Sequence, residues 1–294
     1  MRTRELTVSA AMAGRTVESI LRQEFEMAAS RIRRLKRSER GILLNGVRVS
    51  ITACVAGGDV LRVETGDDPP RPTAAPAPFP LDIVYEDEDL MVLNKPAGIA
   101  VQPTREAAEV TLEHALAAYL PQGEVAHPAS RLDRGTTGLM TVAKSGYVHE
   151  LLRRRMHTEA FRREYRGVAV GTPDPPAGRI ALPIGFYEGS SYQRAVRVDG
   201  APSLTEYETL AVHDGFSLLR LVPHTGRTHQ LRLHMAEIGH PLAGDFLYGT
   251  EDRERIARPA LHSCELWLVH PLTGEPLHFV CPIPEDMRKL MGMD

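Results

Sequence analysis

Two stretches of this chain concentrate side chains able to do chemistry. The first is SRLDRGTTG, Ser130 to Gly138, where Asp133 stands between Arg131 and Arg134 in a loop rich in Gly and Thr. A carboxylate kept ionised by flanking cations is available as a nucleophile or base. The same pattern also suits a surface aspartate that orders its loop by accepting backbone hydrogen bonds, and local sequence alone favours that plainer use. The second stretch, HTGRTHQLRLHMAEIGHPLAGDFLYG (residues 224–249), carries Arg227, His229, Gln230, Arg232, His234 and His240. His229 and His234 are five apart, which does not put two metal ligands on one helical face, so no metal is expected. The set reads either as the polar start of a helix or as donors facing an anionic substrate, with the helix N-terminus adding attraction for phosphate. Tyr165, in FRREYRGVAVG, reads by itself as a half-buried strand residue. The chain has no glycine-rich nucleotide loop of Walker or Rossmann type and no G-x-S-x-G, and its Cys and His form no nucleophile–base arrangement. Cys54, Cys264 and Cys281 are isolated and read as small apolar residues.

The elements that must position these residues are mostly strands. LDIVYEDEDLMVLNKPAG predicts two strands around an acidic turn, and GLMTVAKS a strand followed by a helix through His149, Leu151, Leu152 and Met156. EYRGVAVG, LTEYETLAV, FSLLRLVPH, LHSCELWLVH and PLHFVCPIP predict further strands. THQLRLHMAEIGHP predicts a helix capped by Thr228 and stopped at Gly239, since Pro241 cannot continue it. Short connections between successive strands favour a mixed, largely antiparallel sheet with flanking helices, an α+β fold.

Ahead of this region, Gly66 to Pro80 holds six prolines without apolar periodicity, a semi-stiff linker. The expected layout is a small domain over 1–65, a linker over 66–80 and a main domain over 81–294. The small domain predicts an amphipathic helix over Thr16–Phe25 and a second helix capped by Ser30. An Asn45-Gly46 hairpin and the strand VLRVE follow. Its second helix carries Arg31, Arg33, Arg34, Lys36 and Arg37, five cations within seven residues.

The net charge of -3 conceals an asymmetry: residues 1–65 hold 12 Lys and Arg against 7 Asp and Glu, and the rest hold 23 against 31. A basic small domain of this kind suits a phosphate backbone. The apolar content of 43% is that of an ordinary globular chain, and no run reaches the roughly 20 residues a membrane span needs. The N-terminus lacks the apolar core of a secretory signal, so a cytoplasmic protein is expected. Nothing in the sequence requires a protein partner, and a monomer is expected.

Taken together, RLDRGTTG, EYRGVAVG and TGRTHQLRLHMAEIGHPLAGDFLYG resemble, in order and spacing, the motifs of the RluA/RluD-type RNA pseudouridine synthases. The segment with Ser30-Arg31, the basic helix, NGVRV and GGDVLRVE resembles the small alpha-L-type RNA-binding domain shared with a ribosomal protein. The resemblance implies that Asp133 is the catalytic aspartate and Arg232 the arginine that pairs with it. It implies that Tyr165 packs on the target base and is placed to assist proton removal. Arg131 would fill the gap left by a flipped-out nucleotide, and Leu231 and Leu233 would shape the pocket. The basic residues Arg31, Arg33, Arg34, Lys36 and Arg37 would meet RNA. Breaking the N1–C1′ bond and joining C5 to C1′ is redox neutral, so no cofactor is expected. The implied partner is RNA, with large-subunit ribosomal RNA favoured, transfer RNA the alternative, and a non-catalytic RNA-binding or assembly factor the third reading. One departure stands out: the family has His before Arg-Leu-Asp, and this chain has Ser130, with His127 three residues earlier as a spatial substitute.

Overall fold

The computed structural model describes residues 2–66, 75–103, 109–121 and 124–293. The chain begins with β1 (Thr3–Thr7), α1 (Val17–Gln23), α2 (Ala29–Leu35), β2 (Ile42–Leu44), β3 (Val47–Arg48) and β4 (Val60–Glu64). Their four strands form one antiparallel sheet in the order β1-β4-β2-β3. Helix α1 forms where its apolar spacing predicts: Val17, Ile20 and Leu21 are buried, and Thr16 caps it by accepting from the Ser19 amide. The β2–β3 turn needs left-handed backbone twice, and Asn45 (φ 50°) and Gly46 (φ 81°) supply it. Two expectations need correction. Ser30 does not cap α2, which starts two residues earlier, with Ala28 as its N-cap. The Glu150 carboxylate, brought from elsewhere in the fold, accepts from the Ala28 amide at 2.8 Å instead. Strand β1, which pairs along all of β4, was not anticipated.

The rest of the chain runs β5 (Ile83–Glu86), β6 (Leu90–Lys95), α3 (Leu112–Tyr119), β7 (His127–Pro128), β8 (Thr137–Ala143), α4 (Gly146–Arg155) and β9 (Phe161–Val170). It continues β10 (Ala177–Ile180), β11 (Ile184–Phe186), β12 (Arg194–Val196), β13 (Thr205–His213), β14 (Phe216–Pro223), α5 (Gln230–Glu237), β15 (Leu261–Val269), β16 (Pro276–Val280) and α6 (Glu285–Leu290). The large sheet follows the path β10-β13-β14-β9-β15-β8-β6-β5, with β16 added on β15 and β7 on β8; β11 and β12 form a separate hairpin. Every pairing in it is antiparallel except β8 with β15, which agrees with the expected α+β class. That parallel contact is close. A Cβ on Gly138 (φ 104°) would stand 2.2 Å from the Ser263 carbonyl oxygen, so only glycine lets the chain leave the 130–138 loop here. Helix α5 also departs from expectation: its N-cap is His229 in a left-handed conformation (φ 58°), not Thr228. Gln230 organises the turn before it, accepting from the Arg227 amide and the Thr225 hydroxyl.

Helix α4 joins the two sheets. Its Tyr147 and Leu151 belong to the same apolar cluster as Val17, Ile20, Phe25 and Ile32. The Tyr147 hydroxyl donates to the Phe25 carbonyl at 2.7 Å. Arg31 lies in this seam. It is buried, its Nε stands 3.6 Å from Glu150, and its guanidinium lies 5.5 Å from the Tyr147 ring centre. The sequence placed Arg31 on an outward RNA-facing helix; the structure turns it inward. Arg33, Lys36 and Arg37 are exposed, and Arg34 is half-buried, donating to the Gly66 carbonyl. Most of the proline-rich segment expected as a linker, residues 67–74, lies outside the described residues. Among those described, no helix is long and apolar enough to cross a membrane.

Candidate active site

Asp133 sits at the mouth of a cleft of about 750 Å³ formed by its own loop, strand β9, the turn after β14 and the start of α5. Arg232, on the first turn of α5, points Nη1 at Asp133 Oδ2 at 3.2 Å. The rest of its guanidinium is clamped from behind. Nε and Nη2 donate to the two carboxylate oxygens of Asp245 at 2.7 and 2.8 Å. Asp245 is fully buried and also accepts from the Leu247 and Tyr248 amides. Burial opposes the charge on Arg232, but the bidentate bridge to Asp245 and the approach of Asp133 outweigh it and raise its pKa. One arginine is thereby fixed in two directions, and Asp133 receives a rigid cation. Asp133 Oδ1 carries no hydrogen bond from the described residues.

The loop holding Asp133 is pinned through its carbonyls. Lys95, at the end of β6 and 1% exposed, donates to the carbonyls of Pro96, Ile99 and Arg134 at 2.8, 2.9 and 3.2 Å. Burial pushes its pKa down to about 8, with Asp133 partly resisting. Arg258 donates to the Gly135 carbonyl while its other nitrogens hold Asp286. Thr137 and His262 share a 2.8 Å hydrogen bond just beyond the loop. Burial pushes His262 down to about 4, so it stays neutral.

The structure brings most of the sequence-nominated residues to the cleft. Tyr165 is buried at 5% and lines it from β9. Arg131 is exposed at the rim, and Leu231 lines the wall; Leu233 is buried but does not reach the cleft. Ser130 is buried, and its Oγ accepts from the Thr141 amide, a structural role. His127, proposed to replace the missing imidazole, lies on β7 beside His149 and is not among the cleft residues. Asp245, Lys95 and Tyr248 were missed. Tyr248 hydrogen-bonds His229 Nδ1 at 2.8 Å and accepts from the Arg194 amide, which holds that left-handed cap in place. Asp133 is the one carboxylate among the described cleft residues, against six arginines: Arg131, Arg153, Arg163, Arg194, Arg227 and Arg232. Such a cleft suits a polyanion.

A family model described as RNA pseudouridylate synthase matches residues 89–237. The chain belongs to that family. It is 34% identical over 306 residues to ribosomal large subunit pseudouridine synthase D of Escherichia coli, covering 97% of this chain and 92% of that one. It is 36% identical over 251 residues to an uncharacterized RNA pseudouridine synthase of Bacillus subtilis, covering 84% and 88%. The structure of human RNA pseudouridylate synthase domain containing 1 is similar with a TM-score of 0.56 at 27% identity, covering 69% of this chain and 83% of that chain. The synthase is therefore an isomerase that converts uridine in RNA to pseudouridine.

Outside the cleft, Asp87, Asp89 and His270 cluster closely enough to suggest a cation site. The imidazole argues otherwise. His270 Nδ1 accepts from the Leu272 and Thr273 amides, so in the neutral ring Nε2, 3.2 Å from Asp87, carries the proton rather than offering a lone pair.

Proposed function

We propose that the synthase modifies uridine in large-subunit ribosomal RNA, with Asp133 as the catalytic carboxylate. The observation that carries the assignment of Asp133 is its position as the sole carboxylate among the described residues of a cationic cleft, held by an arginine that a second carboxylate immobilises. In this reading Arg232 pairs with Asp133 and aims it, leaving Oδ1 to attack C1′ or C6 of the nucleoside or to take a sugar proton. Tyr165 offers its ring face to the extruded base and its hydroxyl near C5. Extrusion costs a few kcal/mol, and Arg131 at the exposed rim stacks or hydrogen-bonds where the base was. Leu231 excludes water from the pocket wall. Residues 1–65 act as an RNA-binding domain, joined through the 66–80 linker to the catalytic domain 81–294. In it Arg33, Lys36 and Arg37 contact phosphates, while Arg31 fastens the domain to α4. The full-length likeness to relatives named for the large ribosomal subunit supports the choice of RNA. The enzyme works as a cytoplasmic monomer without a cofactor.

Chemical mapping of pseudouridine in total RNA, with and without the gene, tests this. A site lost from large-subunit ribosomal RNA and restored by the wild type but not by Asp133→Asn is expected. A lost site confined to transfer RNA would overturn the choice of RNA. Restoration by Asp133→Asn would overturn the choice of nucleophile.

A further inference from the structure

Arg163 is two residues before Tyr165 on β9, so both side chains project to the same face of the sheet and line the same cleft. Arg163 is 92% buried by the complement of its 8% exposure. A guanidinium cannot shed its proton, and a buried charge is costly unless paired. Every other strongly buried arginine here has a carboxylate: Arg31 has Glu150, Arg232 has Asp133 and Asp245, and Arg258 has Asp286. The Arg163 side chain makes no ion pair or hydrogen bond with the described residues, and its nitrogens keep a solvent-facing edge in the cleft; it rests 5.9 Å from the Phe161 ring centre.

Its neighbours add positive charge. The turn at Gly226 packs against it: a Cβ there would stand 2.9 Å from His157 Nε2 and 3.9 Å from Arg163 Nη2. The next residue, Arg227, is exposed, lines the cleft, and spends only its Nε on the Pro202 carbonyl. His157, loosely covered by solvent but crowded, is pushed down to about 4, first by lost hydration and then by Arg163 and Arg227. His224 is already occupied with Glu206 at 3.2 Å. No carboxylate faces Arg163 from β9, α4 or the 223–228 turn among the described cleft residues.

We propose that Arg163 and Arg227 form a phosphate site that grips the RNA backbone next to the extruded uridine. Arg163 supplies a largely buried guanidinium on the cleft wall and Arg227 the exposed second contact. A phosphodiester is the anion whose planar pairs of oxygens match a guanidinium, and it arrives only with the substrate. The inference rests on the cleft being the uridine site. It adds that register along the RNA is set beside Tyr165, so that the base and its own backbone are held by one strand.

The test measures RNA binding in an Asp133→Asn background, so that turnover does not interfere. The probe is an in vitro transcript of bacterial large-subunit ribosomal RNA, titrated from 50 to 300 mM KCl. Arg163→Met is expected to weaken binding about tenfold and to lower the slope of log affinity against log salt by about 1, the signature of one lost phosphate contact. Arg227→Gln, an exposed change that leaves folding intact, should move both in the same direction and less. Thermal unfolding of Arg163→Met should stay at or above that of its parent. Unchanged affinity and slope in both variants would overturn the phosphate site. Whether Asp133-intact enzyme forms pseudouridine in the same transcript is read separately by chemical mapping, so failure of the catalytic reading is distinguishable from failure of this one.

Discussion

Arg232, on α5, and Arg163, on β9, line one cleft and are both deeply buried, yet their surroundings differ. On the α5 wall, Arg232 is bracketed by Asp133 and Asp245, so its charge is fully met by carboxylates. On the β9 wall, Arg163, Arg227 and Arg153 face the same space without a carboxylate. In the proposed reading the first arrangement holds the catalytic carboxylate still at the moment of chemistry, since preorganised charge needs no rearrangement. The second leaves electrostatic attraction unspent until a polyanion arrives. One wall is built for the reaction, and the other for the substrate's backbone.

The largest effect should come from the α5 wall. Asp133→Asn is expected to lower turnover by at least about a thousandfold while RNA affinity holds, by analogy with other removed nucleophiles. Tritium released from C5 of labelled uridine in a transcript measures it, and wild-type turnover would refute the role. Next comes Asp245→Leu, which strands a buried guanidinium. Stability should fall by about 3–5 kcal/mol, and turnover with it, because the arginine that aims Asp133 loses its clamp. Urea unfolding checks this against Arg163→Met, whose stability should not fall. Equal losses in both would erase the contrast between the walls.

A third test addresses the loop beneath Asp133 through Lys95. Its folded pKa of about 8 lies below the ordinary 10.5, so the folded state gives up this proton first. The desolvation penalty is fully present below pH 8, and stability returns as pH rises toward 10.5. Relative to Lys95→Met, wild-type stability should therefore climb by about 2 kcal/mol between pH 7 and 9.5. A pH-independent difference between the two would show that Lys95 is not the group titrating.

The smallest effects belong to the small domain. Reversing Arg33, Lys36 and Arg37 to Glu should weaken RNA binding and flatten its salt dependence without touching the cleft. Arg31→Ala should instead cost about 1–2 kcal/mol of stability through the seam with Glu150 and Tyr147 and leave the salt slope alone. Filter binding and thermal unfolding separate the two outcomes. Deleting residues 1–65 outright is the poorer experiment, because it bares Tyr147 and Leu151.

Much of the strand order's raw material was legible, because alternation and turn residues are local signals. Strands β5, β6, β8, β9 and β13–β16 fall where apolar alternation put them, and the Asn45-Gly46 hairpin follows from backbone preference alone. Misses came where distant residues act on a local feature. Ser30 looked like a cap, but the Glu150 carboxylate meets the start of α2 from α4. Thr228 looked like a cap, but the Gln230 side chain and the Tyr248–His229 contact shape that turn. Asp245, in a Pro- and Gly-flanked stretch, gives no local sign of its role, though it is among the most buried groups in the molecule.

The amino-acid sequence by itself determined which side chains could do chemistry. It carried Asp133, Tyr165 and Arg232, the order of their motifs, the basic excess of residues 1–65, and the strand-rich class. Periodicity and residue type are properties of short segments, so they survive without coordinates. Tertiary structure alone decided which charges are neutralised. Pairing depends on which residues separated by a hundred positions come within 4 Å, and burial sets how strongly they interact. That is why Arg31, read as a contact for RNA, is a fastening between sheets. It is also why Arg163, unremarked in the sequence, is left as a buried cation facing the cleft.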